Sequence, residues 1–269
     1  FAGRRRRPLD LDRWIEAGHV RFAWAVGTTW LGSMTASQGL MNTFHRLTRG
    51  SVHQIQSAET AADDLIRRAE AGEMVVVNQD IYLRHPIGSE YADIIFPAAT
   101  WGEDNFSRAN GERRIRLYSR FYDPPGEAKP DWWIAAQVGK RMGYPGFDWT
   151  ESNDVFEEAA RFTRGSRKDY MPLVWFAKQQ GRKGHDVLRD LGTTGIQGPV
   201  RYEDGALVGT KRLHDSTLKL DTPQGPTIHS KIMTAFNTQS GKANFMKTPW
   251  AQFSDFYEFM RPKGDELWV

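Results

Sequence analysis

Cysteine is absent from the 269 residues. That excludes disulfides, thiolate metal ligands, cysteine nucleophiles and cysteine-bound iron–sulfur clusters held by this chain, and it leaves the compartment open. No apolar run approaches the roughly 18 residues that a membrane-spanning helix needs, and no signal peptide is visible. A dominant charge is missing too. With 36 basic against 33 acidic residues the net charge is +3, too little for a global polyanion-binding field, although the sequence pI is near 9.1. The one dense basic cluster, Arg4 to Arg7, runs into Pro8 with no interleaved aromatics and reads as a solvated connecting segment. No nucleic-acid partner is therefore expected. Repeats, heptads and low-complexity tracts are absent. The first residue is Phe1, so a processed product or a piece of something longer is expected.

Several chemistries lack their motifs. The histidines at 19, 45, 53, 85, 185, 214 and 229 form no HxxxH or HxH spacing, and no carboxylate completes a metal triad. No metal ligand is expected from this chain. A G-x-S-x-G elbow, a P-loop and G-x-G-x-x-G are also missing.

What is present suits a packed α/β protein. The length allows one large or two ordinary domains, and 39% hydrophobic residues with 12% aromatics can fill a core. Val20 to Val26, "MVVVNQD" and "ADIIFP" are continuous apolar runs, as strands buried on both faces should be. Between the first two, "SAETAADDLIRRAEAGE" predicts a helix with Ala61, Leu65, Ile66 and Ala69 on one face, ended by Gly72. "KPDWWIAAQVGKRMG" predicts another, opened by Pro130 and burying Trp133, Ile134 and Val138. Strands alternating with helices predict a parallel sheet, with ligands where strand ends meet the following loops. From about Gly146 the texture changes. "NDVFEEAARFTRG" predicts an amphipathic helix with Val155, Phe156, Ala159 and Phe162 inward. The next sixty residues are polar and Gly-rich and read as an insertion with little core of its own. A hairpin is expected around Ser240-Gly241 and a strand at "ELWV". The organisation is thus an α/β domain over 1–145, a helical, loop-rich insertion over 146–220 and a return segment over 221–269.

Two stretches suggest a site. "GTTWLGS" follows the first strand, and is either a tight turn or a loop whose N–H groups face a phosphate. "TWGEDNFSRANGERR" follows the third. There Glu103 and Asn105 could hydrogen-bond a heterocyclic, amide-rich cofactor, or the run could be a salt-bridged turn leading into the strand "RIRLYSRF".

The ordered motifs resemble a known family. Asp80, Ala92-Asp93, Phe96-Pro97-Ala98, Trp101-Gly102-Glu103 and Asn110-Gly111-Glu112-Arg113-Arg114 follow the pattern of the third domain of molybdopterin enzymes of the dimethyl sulfoxide reductase family. "FNTQSGKANF" resembles the run before that family's fourth, cofactor-closing domain. "NGERRIRLYSRFYDPPGEAKPD" is similar to the large subunit of the arsenite oxidase clade, which includes iodate reductases, while "ATWGEDNFSRA" departs from the arsenite oxidase pattern.

The resemblance implies a Rossmann-like third domain and a central segment of a larger catalytic subunit, inactive by itself. It implies two molybdopterin guanine dinucleotides on one molybdenum, and an iron–sulfur cluster in a part nearer the N-terminus. The implied activity is oxygen-atom transfer with a small oxyanion, arsenite oxidase type, with iodate reductase as the alternative. The implied partners are the remainder of the large subunit, a small Rieske-type iron–sulfur subunit and a c-type cytochrome or similar carrier, in the periplasm. The implied cofactor-binding residues are Gly27, Thr28, Thr29, Trp30, Asn78, Asp80, Trp101, Glu103 and Asn105, with Asn110 to Arg114 supporting their loop. A non-catalytic α/β electron-transfer or assembly module is the other class.

Overall fold

The computed structural model describes residues 8–33, 37–48, 57–83, 87–211, 240 and 242–245. Of the expected hairpin, Ser240 forms a turn and 242–245 are irregular; the strand expected at 266–269 lies outside the described residues.

Three apolar strands, β1 (Phe22–Val26), β2 (Val75–Asp80) and β3 (Ile94–Pro97), form a parallel sheet in the order β1-β2-β3. Ala25 pairs with Asn78 and Asn78 with Ile95, so the three strands end at one edge. The β1–β2 crossover contains α2 (Trp30–Ser33), α3 (Ser37–Leu47) and α4 (Ala58–Glu70), preceded in the chain by α1 (Pro8–Glu16). Ile15, Leu31, Leu40 and Phe44 from the first three helices pack on Ala23, Ala25 and Val76. Each large apolar side chain buried there contributes about 1.5–3 kcal/mol. A single π-helical turn, Ile87–Tyr91, links β2 to β3 and sends Ile87 and Tyr91 into the same core.

Helix α4 starts where Ser57 Oγ accepts the Thr60 N–H at 3.2 Å. Its inward face is turned from the expected one. Ala61 and Leu65 are half-buried, but Ile66 is 58% exposed and Ala69 is exposed. Arg68 takes the inward position, pairing with Glu73 at 2.7 Å and with Asp93. Asp93 also accepts the Val76 N–H at 2.9 Å, so this carboxylate fixes the start of β3 against β2.

Beyond the sheet, β4 (Phe106–Ala109) and β5 (Arg114–Tyr118) form a hairpin joined by β6 (Ile196–Gln197). Helix α5 (Asp131–Arg141) buries Ile134, Ala136 and Gly139, with Val138 half-buried. Trp133 instead stays at the surface, with Lys129 Nζ 5.9 Å from its ring. Helices α6 (Ser152–Thr163), α7 (Met171–Gln179) and α8 (Gly184–Asp190) follow, then the hairpin β7 (Arg201–Glu203) and β8 (Ala206–Val208).

The expectation of little core in the polar, Gly-rich stretch that follows α6 is overturned. Phe156, Ala160, Leu173, Val174, Ala177, Val187, Leu188, Ile196 and Val200 form a buried cluster with Ile115 of β5. Helix α7 is buried nearly all round and carries little amphipathic period, which is why a pattern reading passes over it. On α6, Phe156 points inward as expected, whereas Phe162 is 82% exposed and Ala160 fills the core position.

Candidate functional site

The carboxyl edge of the parallel sheet gathers most of the expected residues. Gly27 leaves β1 at φ +55°, a conformation that favours glycine, and donates its N–H to Gln79 O at 2.9 Å. Thr28 and Thr29 are exposed, and Thr28 Oγ1 accepts the Trp30 N–H at 3.2 Å. The Trp30 ring packs edge-on against Phe44 at 5.5 Å, so this residue serves the core. Asp80 Oδ1 accepts the Ile81 N–H at 2.7 Å, and its carbonyl takes the Ala98 N–H at 3.1 Å.

Asn78 is not at the edge. It sits one pair inside the sheet, fully buried, and neither Oδ1 nor Nδ2 has a partner among the described residues. Gly88 of the π-helical turn covers it so closely that a Cβ there would lie 2.8 Å from Nδ2. On the other face, Gln79 Nε2 donates to Asp131 Oδ1 at 2.6 Å while Gln79 Oε1 and the Trp24 indole N–H are unmatched. A buried polar atom without a partner costs about 1–3 kcal/mol. Unmatched donors and acceptors beside the strand ends fit a polar, heterocyclic group better than an apolar one.

The loop after β3 is tied down from within. Ala99 N–H donates to Lys129 O at 2.8 Å. Glu103 is buried, and its Oε2 accepts the Thr100 N–H at 2.8 Å. Desolvation first, and a hydrogen bond to the Glu103 carboxylate second, hold the Tyr122 phenol above its ordinary pKa. Asn105 Oδ1 accepts the Arg120 N–H at 2.9 Å, and Asp104 Oδ2 accepts from Trp132 Nε1 at 2.8 Å. Glu103 Oε2 and Asn105 Oδ1 are therefore engaged by backbone N–H groups of this chain. Trp101 alone of the expected loop residues stands out, 65% exposed.

Residues Asn110 to Arg114 do not brace that loop, as expected, but the helical cluster. Asn110 Oδ1 accepts the N–H groups of Glu112 and Arg114 at 3.1 and 3.0 Å, which closes the β4–β5 turn. The Asn110 amide and then Arg114 lower the Glu112 pKa. Arg113, buried and left-handed at φ +68°, donates from Nε to Gly198 O at 3.1 Å. Its carbonyl accepts from the Gly198 N–H at 2.8 Å and the Tyr170 hydroxyl at 2.6 Å. Burial pushes the Tyr170 phenol to about 12, so it stays protonated as that donor.

A cavity of about 570 Å³ opens between the loop and α6, walled by Thr100, Asp104, Trp132, Phe156 and Ala159 among others. Its carboxylates are engaged already, Asp104 by Trp132 and Asp131 by Gln79. The sheet edge is the better candidate for a polar ligand. Among the described residues no group of three His, Asp or Glu side chains could hold a metal, and no helix is long and apolar enough to cross a membrane.

A parallel sheet with helices, opened at its carboxyl edge by a glycine loop, defines a mixed α/β domain. Residues 18–141 match the molybdopterin oxidoreductase family, which implies a molybdenum–pterin cofactor. More particularly, the chain is 52% identical to the iodate reductase subunit IdrA of Denitromonas iodatirespirans and 48% to IdrA of Pseudomonas sp. strain SCT, each over 100% of this chain and 31% of the relative. The arsenite oxidase subunit AioA of Herminiimonas arsenicoxydans is 33% identical over 60% of this chain and 19% of its own length. The chain thus spans about a third of the iodate reductase subunits it matches. Of the two activities implied by the resemblance, the alternative has the stronger match.

Sequence reasoning missed Tyr82, Phe121 and Tyr122 at the site. All three are exposed beside the strand ends or the loop. "FYDPPG" read only as a turn, because exposure of an aromatic is a tertiary property.

Proposed function

We propose that this chain is the part of an iodate reductase catalytic subunit that holds one face of its molybdenum–pterin cofactor, and that the full subunit removes oxygen from a small halogen oxyanion. The observation that carries this reading is the whole-chain match to two iodate reductase subunits. In it, residues 1–145 are the Rossmann-like third domain of the dimethyl sulfoxide reductase fold, and the cofactor is the guanine dinucleotide form, two per molybdenum. The backbone of Gly27 to Thr29, Asp80 and the exposed Trp101 bind and orient it, and Glu103 and Asn105 keep the Trp101 loop in place. Asn78 lies directly beneath this edge, and its unmatched amide can answer a polar group brought against the π-helical turn. When bound, the group supplies two-electron oxygen-atom chemistry; the residues of this chain supply position and electrostatics. With no cysteine here, an iron–sulfur cluster would be held by other residues of the subunit. A small Rieske-type subunit and a c-type cytochrome or similar carrier in the periplasm complete the electron path. Arsenite oxidation is the second reading, favoured by the match to AioA.

The test is metal and pterin analysis of the purified full-length subunit, followed by turnover. Molybdenum, pterin and iodate-dependent oxidation of a reduced viologen dye are expected. Arsenite-dependent reduction of an acceptor without iodate activity would move the assignment to the second reading, and a protein free of pterin would overturn both.

A further inference from the structure

Beside the strand ends, the chain holds a set of rings out in water. Trp101 is 65% exposed, Phe121 68%, Tyr82 56% and Tyr122 44%. Large apolar rings grouped at one surface mark a place of contact. They are not loosely held. Gly102, at φ +93°, accepts the N–H groups of both Phe121 (2.9 Å) and Tyr122 (3.2 Å), and any side chain on Gly102 would overlap the Phe121 ring. The rings meet edge-on or tilted. Trp101 and Phe121 meet at 6.2 Å and 64°, and Phe121 and Tyr122 at 4.8 Å and 53°, so neither pair lies face to face. By contrast Phe106 and Tyr118 stack at 4.9 Å and 10° on the neighbouring hairpin.

We propose that Trp101 and Phe121, flanked by Tyr82 and Tyr122, form a shelf on which a planar, purine-like ring of the cofactor stacks, and that Glu103 is a positioning residue for this shelf rather than a cofactor ligand. The proposal rests on the cofactor reading above and deepens it. A planar heterocycle is favoured over a protein segment by the place of the shelf. It adjoins the strand-end loops where α/β sheets take ligands, and Tyr82 follows β2 by two residues. Every nitrogenous ring has a π face, so an aromatic shelf can hold either the guanine base or the pterin. The buried Glu103 carboxylate, bonded to the Thr100 N–H and set against Tyr122, fixes the loop on one side and the ring-bearing segment on the other.

The experiment uses the full-length subunit freed of cofactor, with GMP, neopterin and ribose 5-phosphate as probes in calorimetric titration. Phe121→Leu should weaken one ring-bearing probe about ten- to a hundredfold, as loss of a stacked aromatic does, and leave ribose 5-phosphate unchanged. The probe that loses affinity identifies which ring lies on the shelf. Phe121→Trp should restore binding. Glu103→Gln should weaken the same probe less and shift the Tyr122 titration, followed by ultraviolet difference spectra against Tyr122→Phe. Unchanged affinity for both rings in Phe121→Leu and Trp101→Leu, with normal pterin content, would overturn the shelf while the cofactor reading stood. Pterin missing from the wild-type subunit would instead overturn the cofactor reading and the shelf with it.

Discussion

The cluster on the parallel sheet and the cluster under α6 to α8 bury similar apolar material and handle polar groups differently. Near the helical cluster, most buried polar side chains are bonded at least once. Asp169 accepts the N–H groups of Gly165 and Met171 at 2.7 and 2.9 Å, Gln197 donates to Glu112 O at 2.8 Å, and Arg113 clamps Gly198. At the sheet, Asn78 has both side-chain polar atoms unmatched, and large rings stand in water at the loops beyond. The first region behaves as a scaffold. The second leaves hydrogen-bonding groups unmatched just inside its edge and holds stacking capacity at the loops beyond, as suits a ligand-binding region.

The largest effect should come from breaking the scaffold. Leu173→Ala opens a fully buried position and should cost about 2–5 kcal/mol in denaturant unfolding of the full-length subunit, with cofactor lost only as molecules unfold. Arg113→Ala removes a buried charged donor from the Gly198 carbonyl and should cost about 1.5–3 kcal/mol in the same assay. Equal melting of wild type and Arg113→Ala would show that the clamp is ornamental.

A pH series sharpens the contrast. His185 stacks on Phe156 at 5.4 Å, and burial lowers its pKa to about 4, against the pull of Glu151, Asp186 and Glu157 and with the push of Arg189. Its folded pKa lies below the unfolded value of about 6.5, so its stabilisation is complete above that pH and drains away as pH falls toward 4. His185→Gln should flatten the part of the stability–pH curve lying between these values. A curve of unchanged shape would place the titration elsewhere.

The smallest stability effect belongs to the sheet. Asn78→Leu replaces an unmatched amide by an apolar side chain of similar size and should leave unfolding near neutral. Pterin content per folded subunit should fall all the same. Loss of stability with full cofactor retention would make Asn78 a packing residue.

Much of the sheet was legible because strands covered on both faces read as continuous apolar runs, and Gly27, Pro97 and the direction of all three strands follow. Periodicity failed where a charge or a small residue went inward. Arg68 displaced Ile66, Ala160 displaced Phe162, and α7 showed no period to read. At the site the strand-end positions were legible, but the aim of each side chain was not. Glu103 turns back to a backbone N–H three residues earlier, and Asn105 reaches one fifteen residues later. Either could equally have faced a ligand on sequence alone. The Asn110–Arg114 turn was legible as a support, but its target lay some eighty residues ahead at Gly198.

The central claim is that the sheet edge meets the cofactor and the helical cluster does not. Amide hydrogen exchange of the full-length subunit, with and without its molybdenum–pterin group, tests it most directly. Added protection should concentrate in residues 26–30, 80–83, 99–105 and 120–122, with little change over 171–190. Protection confined to 171–190, or none at the strand ends, would contradict the account.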